Sequence, residues 1–210
     1  MVYLLYKNVN DWQLRKKGVN LNKELDDKYQ RLKEIVIDRK NEFDLLVNYV
    51  ESQTDWLIAP ASTRFHLNKE SGLLEHSCNV AENLLRIKGL LAPEISDESC
   101  VLCGLFHDLG KVGMPGNPLY LLNSPSEKQV KYGYLPEHPY RYNSSLTHLS
   151  VPLRSLYYIL PYLPLSEEEV QAIAYHDGQY VESNRDVATR EKPLTLLLQY
   201  ADNWSGFVQE

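Results

Sequence analysis

Residues 99–111, SCVLCGLFHDLGK, place a histidine and an aspartate at the end of the most apolar predicted helix of the chain. Ser96, or the aspartate after it, can cap this helix at its start, and Gly110 marks its end. Because every face of the segment is apolar, we expect His107 and Asp108 to be buried. A buried carboxylate is costly without a partner, so Asp108 requires a cation, strong hydrogen-bond donors or a metal ion.

Two other predicted helices turn the same kinds of side chain inward. In the helix predicted from about residue 72 to 88, with Gly89 as its cap, His76 lies on the apolar stripe. The last predicted helix begins at Pro193, and its apolar stripe includes Asp202. Three helices therefore direct imidazole or carboxylate groups toward the interior.

This set of side chains favours a metal site. Imidazole nitrogens and carboxylate oxygens suit a divalent ion and leave positions for water and substrate. Any one of these histidines alone would more simply be a hydrogen-bonded core residue, but four such residues together favour metal binding. The predicted ligands are His76, His107, Asp108 and Asp202. The identity of the ion is left open among Mn, Fe, Ni, Co, Zn and Mg.

Composition limits the class of protein. The chain has 210 residues, 43% hydrophobic and 24% charged, which fits one globular domain with at most a small appendage. A net charge of −6 argues against a broad surface for long nucleic acid. Three cysteines and no recognisable signal peptide or membrane span predict a cytoplasmic protein without disulfides. Cys100 and Cys103 are better explained as small buried side chains than as a redox pair or half a zinc site.

The predicted fold class is all-α, in one compact unit. Residues 1–55 are interpreted as an N-terminal helical scaffold segment and residues 56–210 as the functional domain. Within the scaffold segment, residues 1–20 are expected to be loosely ordered or strand-like. Residues 22–50 show the periodicity of one long or two broken amphipathic helices.

Two further regions complete the predicted organisation. The proline-rich connection 112–143 is expected to hold a small hairpin and to border the site. A helix is predicted from about residue 144 to 163, and Pro152 either kinks it or marks its true first turn. Ser166 and Glu169 form a capping box that opens the next helix.

Three motifs resemble a known family. SGLLEHS at 71–77, LFHDLGK at 105–111 and QYADN at 199–203 resemble, in order and spacing, the H, HD and D motifs of the HD-domain superfamily of metal-dependent phosphohydrolases. The run from APASTRF at 59–65 through SGLLEHS at 71–77 is similar to the HD portion of bacterial 3′-to-5′ exoribonucleases and of related phage and bacterial hydrolases. The resemblance covers residues 56–205.

The resemblance implies an HD-domain helical bundle and a catalytic role for the four predicted ligands. Metal-bound water would attack a phosphate ester or anhydride. Asp108 would serve as ligand and also as a candidate general base, and Lys111 would contact substrate phosphate. His176 and His148 are candidates for a second metal or for contact with the first, and we predict one tightly bound metal with His176 at its edge. Arg64 and His66 are weaker candidates for binding substrate.

Three functions remain open from the sequence. The first is hydrolysis of a small phosphorylated substrate, most simply a nucleotide. The second is a 3′-to-5′ nuclease acting on short single-stranded RNA or DNA, and the third is an HD fold that binds a ligand without catalysis. The complete motif set argues against the third, and the negative charge favours the first over the second. The sequence does not indicate an oligomeric state.

Overall fold

The computed structural model describes residues 21–134 and 136–210. Their regular elements are the helices α1 Lys23–Ile35, α2 Lys40–Gln53, α3 Gly72–Leu91, α4 Asp97–Phe106, α5 Glu127–Lys131, α6 Val151–Ile159, α7 Glu167–Ala174 and α8 Pro193–Trp204, with the strands β1 Tyr120–Leu122 and β2 Tyr140–Tyr142. The all-α prediction and the hairpin in the 112–143 connection are both confirmed. The prediction for residues 1–20 lies outside the described residues.

Helix α3 lies at the centre of the bundle and packs against α1, α4 and α8. The two backbones of α3 and α4 come close at Gly104, where an added Cβ would stand 2.5 Å from the Cα of Ala81. Only a glycine allows the two backbones to come this near. The approach brings His76 on α3 beside His107 at the end of α4, with ring centroids 5.4 Å apart.

The end of α3 differs from the sequence prediction. Gly89 lies inside the helix, which continues to Leu91, and Ala92 is the residue that leaves helical geometry. The reason is Pro93, because the residue before a proline is pushed out of the α region.

The end of α4 is shaped by tertiary contacts. Ser96 caps the helix as predicted, accepting a hydrogen bond from the Ser99 amide at 3.0 Å. The α-helix ends at Phe106 rather than at Gly110, and the chain continues as a 3-10 turn. Ser155 on α6 holds this turn, because its hydroxyl accepts from the Gly110 amide and donates to the His107 carbonyl.

Residues 22–50 form two helices, not one. Both contribute side chains to the same core as the later helices, including Tyr29 and Phe43. At the break, Arg39 donates to Glu98 of α4 at 2.6 Å and, through both terminal nitrogens, to Glu169 of α7. One guanidinium therefore joins three parts of the chain in a bidentate and partly buried arrangement.

The other helices that the sequence predicts begin at the expected residues, except for α6. Helix α6 begins at Val151 and not near residue 144, because Pro152 occupies its first turn. The capping box of Ser166 and Glu169 is present, and Pro193 is the first residue of α8 as predicted.

Cys100 and Cys103 are buried and are not joined in a disulfide. Burial raises the pKa of the Cys100 thiol to about 12. These observations confirm the interpretation of both cysteines as small buried side chains.

None of the helices described here combines the length and apolar character of a membrane span.

Candidate metal centre

Five side chains converge in one small region of the structure. They come from α3, the end of α4, the end of α7 and α8. His76 Nε2 lies 3.0 Å from Asp202 Oδ1 and 3.6 Å from Asp108 Oδ2. His107 Nε2 lies 3.5 Å from Asp108 Oδ2 and 3.8 Å from Asp202 Oδ1. His176 Nε2 lies 3.4 Å from Asp108 Oδ1. All four predicted ligands belong to this group of five, and His176 is its fifth member.

The other nitrogen of each imidazole is hydrogen-bonded away from the centre. Nδ1 of His107 and Nδ1 of His176 each lie 2.9 Å from the main-chain carbonyl three residues earlier, which is free because each histidine stands at a helix end. Nδ1 of His76 lies 3.0 Å from the carboxylate of Glu210. When a ring is neutral and its Nδ1 is the donor, its Nε2 presents a lone pair to the centre.

The group has the features expected of a site that can hold a metal. His107 Nε2 is buried and has no hydrogen-bond partner among the described residues. Two atoms that ligate one metal at about 2.1 Å are separated by about 3.0–3.5 Å, close to the distances found here. Two overlapping sets of possible ligand atoms at the centre each lie within 4.8 Å of one another, His76 with His107 and Asp202, and His107 with Asp108 and His176.

The electrostatics of the centre favour an added cation. Burial opposes ionisation of Asp108, but Lys111 and His107 hold the pKa of this carboxyl well below its usual range. Burial also lowers the pKa of His107 to about 4, which leaves its ring neutral. For His76, burial lowers the pKa, yet hydrogen bonds to Asp202 and Glu210 raise it overall to about 9. The carboxylates therefore attract protons that a metal ion would displace.

Lys111 is held inside this site. Its Nζ lies 2.5 Å from Asp108 Oδ2, and the pairing raises the pKa of the ammonium although burial lowers it. The predicted phosphate contact is thus paired with a site carboxylate, at the border of two cavities.

The larger cavity contains the candidate centre. Its volume is about 890 Å³, within the range of small-molecule sites. Four side chains of the centre line it together with other polar residues, namely His66, Lys111, Asp177 and Asn203. In addition, α8 and the segments beside it contribute the aromatic side chains Tyr180, Tyr200, Trp204 and Phe207.

The hairpin borders a second cavity of about 560 Å³. Tyr120, Tyr140 and Arg141 line it, and it shares Lys111 with the first. The 112–143 connection therefore reaches the centre through Lys111, and its influence on substrate choice stays a prediction.

Of the three weaker candidate residues, one lines the larger cavity and two are exposed. His66 lines the larger cavity and packs on His76, with ring centroids 4.9 Å apart. Arg64 is exposed, with its guanidinium carbon 5.9 Å from the Phe65 ring centroid. His148 is also exposed and belongs to none of the metal-capable groups in the described residues. Since α6 begins at Val151, His148 lies in the coil before it, and its role in metal binding stays a prediction.

Two residues of the site were missed by sequence reasoning. Glu210 faces His76 and accepts a hydrogen bond from Asn79 at 2.9 Å, a contact for which no local pattern exists. Asp177 has an oxygen 3.6 Å from His176 Nε2, and burial raises its pKa. Here a signal was available, because residues 176–177 form a second His-Asp doublet.

Comparison with known proteins identifies the family. The HD domain family model matches residues 73–205, which cover nearly all of α3 and everything from there through α8. All five converging side chains fall inside the match, whereas Glu210 and the two N-terminal helices fall outside. Neither curated proteins nor solved structures gave a significant match. The chain belongs to the HD-domain family, whose members are typically metal-dependent phosphohydrolases.

Proposed function

We propose that this protein hydrolyses the phosphate ester or anhydride of a nucleotide with the aid of one divalent metal ion. The observation that carries the proposal is the convergence of three imidazole Nε2 atoms and two carboxylates, with the Nε2 of His107 buried and without a hydrogen-bond partner among residues 21–134 and 136–210. In the proposal His76, His107, Asp108 and Asp202 hold the ion, and His176 stands at its edge.

The metal supplies two effects when bound: it lowers the pKa of a coordinated water and neutralises charge that grows on phosphoryl oxygens. Asp108 serves mainly as a ligand, because its pKa is held low and a general base works best with a pKa near the working pH. Lys111 keeps Asp108 ionised and offers the substrate phosphate a positive group at the cavity border.

The charge of the cavity favours a small substrate over a strand. Among the described lining residues Lys111 is the one lysine or arginine, against Asp108, Asp177 and Asp202. In the metal-free protein, protons on His76 and His176, whose pKa values are both raised to about 9, offset part of this negative charge. A nucleic acid strand needs several cations along its backbone, which this lining does not provide.

The test is a screen of the purified protein, with added Mn²⁺, Ni²⁺ or Co²⁺, against nucleoside mono-, di- and triphosphates, cyclic dinucleotides and short RNA and DNA. We expect metal-stimulated hydrolysis of a nucleotide and its loss in Asp108→Ala. His148→Ala is the control, because this exposed histidine lies away from the centre. A protein that binds no metal and hydrolyses nothing would refute the proposal, and a preference for oligonucleotides would select a nuclease.

A further inference from the structure

We infer that an aromatic wall beside the metal centre, formed by Tyr180, Tyr200, Trp204 and Phe207, stacks against the base of a single nucleotide. The inference rests on the proposed function, because it assumes that a phosphoryl group is bound at the centre. It assigns a binding surface to the base, which is the part of the substrate that the metal ligands do not contact.

The wall and the candidate centre share one helix. Asp202 lies on α8 between Tyr200 and Trp204, which are four positions apart and therefore on neighbouring points of one face. Phe207 follows in the π-helical turn Ser205–Gln209. Asp202 is two positions from Tyr200 and from Trp204, so its side chain leaves α8 on a different side. The four aromatic side chains nevertheless line the same cavity as Asp202, and a substrate held at Asp202 therefore shares this cavity with the rings.

The rings of the wall are open to a ligand. Their exposed fractions are 93% for Tyr180, 61% for Tyr200, 56% for Trp204 and 83% for Phe207. None of them forms an aromatic pair with another ring in the described part of the chain, although such pairs are frequent in the core. A cluster of large exposed aromatic side chains inside a cavity marks a binding surface.

A nucleobase fits this wall better than the other occupants. A sugar phosphate without a base offers no planar apolar face, and a strand would need cations that the cavity lacks. A second copy of the chain would fill the cavity that the substrate must enter to reach Asp108 and Asp202. Stacking on an aromatic ring tolerates any base and contributes about 1–3 kcal/mol per base.

The first test measures base binding without hydrolysis. Trp204 is half exposed in the cavity, whereas Trp56 is fully buried. We expect adenosine and guanosine, which carry no phosphate, to quench the fluorescence of the metal-free protein. The quenching should disappear in Trp204→Leu and persist in Tyr157→Leu, the control at an exposed tyrosine on α6. No quenching in the wild type, or unchanged quenching in Trp204→Leu, would overturn the inference.

The second test uses the ratio of kcat/KM for a nucleoside monophosphate to that for ribose 5-phosphate. A stacking free energy of about 1.4 kcal/mol corresponds to a factor of about ten. We expect Trp204→Leu and Phe207→Leu each to lower the ratio about tenfold, Trp204→Phe to lower it less, and Tyr157→Leu to leave it unchanged. Equal ratios in wild type and Trp204→Leu would overturn the inference while leaving the proposed hydrolase standing. Nucleoside quenching without hydrolysis of any phosphate ester would refute the hydrolase alone.

Discussion

The carboxylate of Glu210 lies 3.0 Å from Nδ1 of His76, although 134 positions separate the two residues in sequence. A carboxylate behind a ligating histidine sets the ring orientation and raises its basicity, and its loss typically weakens metal binding by about 10- to 100-fold. We therefore expect Glu210→Ala to weaken Ni²⁺ binding to this extent in a titration of the purified protein. The Ni²⁺ affinity of Glu210→Gln should lie between those of the wild type and Glu210→Ala. Its amide oxygen still accepts a hydrogen bond from Nδ1 but carries no charge. Unchanged affinity in Glu210→Ala would contradict this role.

His176 is expected to stand at the edge of a single metal site. Its Nε2 contacts Asp108 Oδ1 and Asp177 Oδ1, at 3.4 and 3.6 Å. Elemental analysis should find one metal per chain in the wild type and one in His176→Ala, with weaker binding or slower turnover in the variant. Two metals in the wild type that fall to one in the variant would show that His176 belongs to a second site.

The contact between Gly104 and Ala81 sets how closely α3 and α4 approach. An added Cβ in Gly104→Ala would stand 2.5 Å from the Ala81 Cα, so the helices must separate. We expect a loss of about 1–3 kcal/mol in the free energy of unfolding, measured with urea, together with weaker metal binding through displacement of His107.

Gly89→Ala is the matched control for this substitution. Gly89 lies on the exposed side of α3, and an added Cβ there would meet nothing within 4 Å. Alanine should raise the free energy of unfolding by about 0.5–1 kcal/mol, because glycine is the poorer helix former. Equal effects at the two positions would refute the packing argument.

Arg39 joins two buried carboxylates that would lose their partner in Arg39→Met. The side chains of Glu98 and Glu169 are 9% and 2% exposed. Removing one member of a buried ion pair typically costs about 3–5 kcal/mol, and we expect a loss of this size in urea unfolding. Lys40→Met is the control, since Lys40 forms an exposed i,i+4 pair with Asp44 and its loss should change stability by about 0.5 kcal/mol or less.

The same network predicts a dependence of stability on pH. Burial raises the pKa of Glu98 and Glu169, but hydrogen bonds from Arg39 lower both below their ordinary value of 4.5. Because the folded pKa is lowered, the stabilisation is complete above about pH 4.5 and is lost as the pH falls through the folded values. The free energy of unfolding should fall more steeply below pH 4.5 in the wild type than in Arg39→Met. Parallel curves for the two proteins would contradict the assignment.

Much of the centre could be predicted because its signals are local. The 3.6-residue period places His76 on the apolar stripe of α3 and Asp202 on α8, whichever helices they later meet. The caps at Ser96 and Ser166 bond to amides three residues away, so they can be read directly from the chain. The His-Asp doublet at residues 176–177 is also a local signal, although Asp177 was not predicted as part of the site.

By itself, the sequence determined the helical class, most helix starts and the inward orientation of the candidate metal ligands, because each depends on residues within one or two turns. Only the tertiary structure decided that Glu210 stands behind His76, that Lys111 is paired with Asp108, and that His148 lies apart. These outcomes depend on how closely α3, α4 and α8 pack and on where Pro152 starts α6. Contacts between residues far apart in the chain follow from packing of whole helices, which no short pattern specifies.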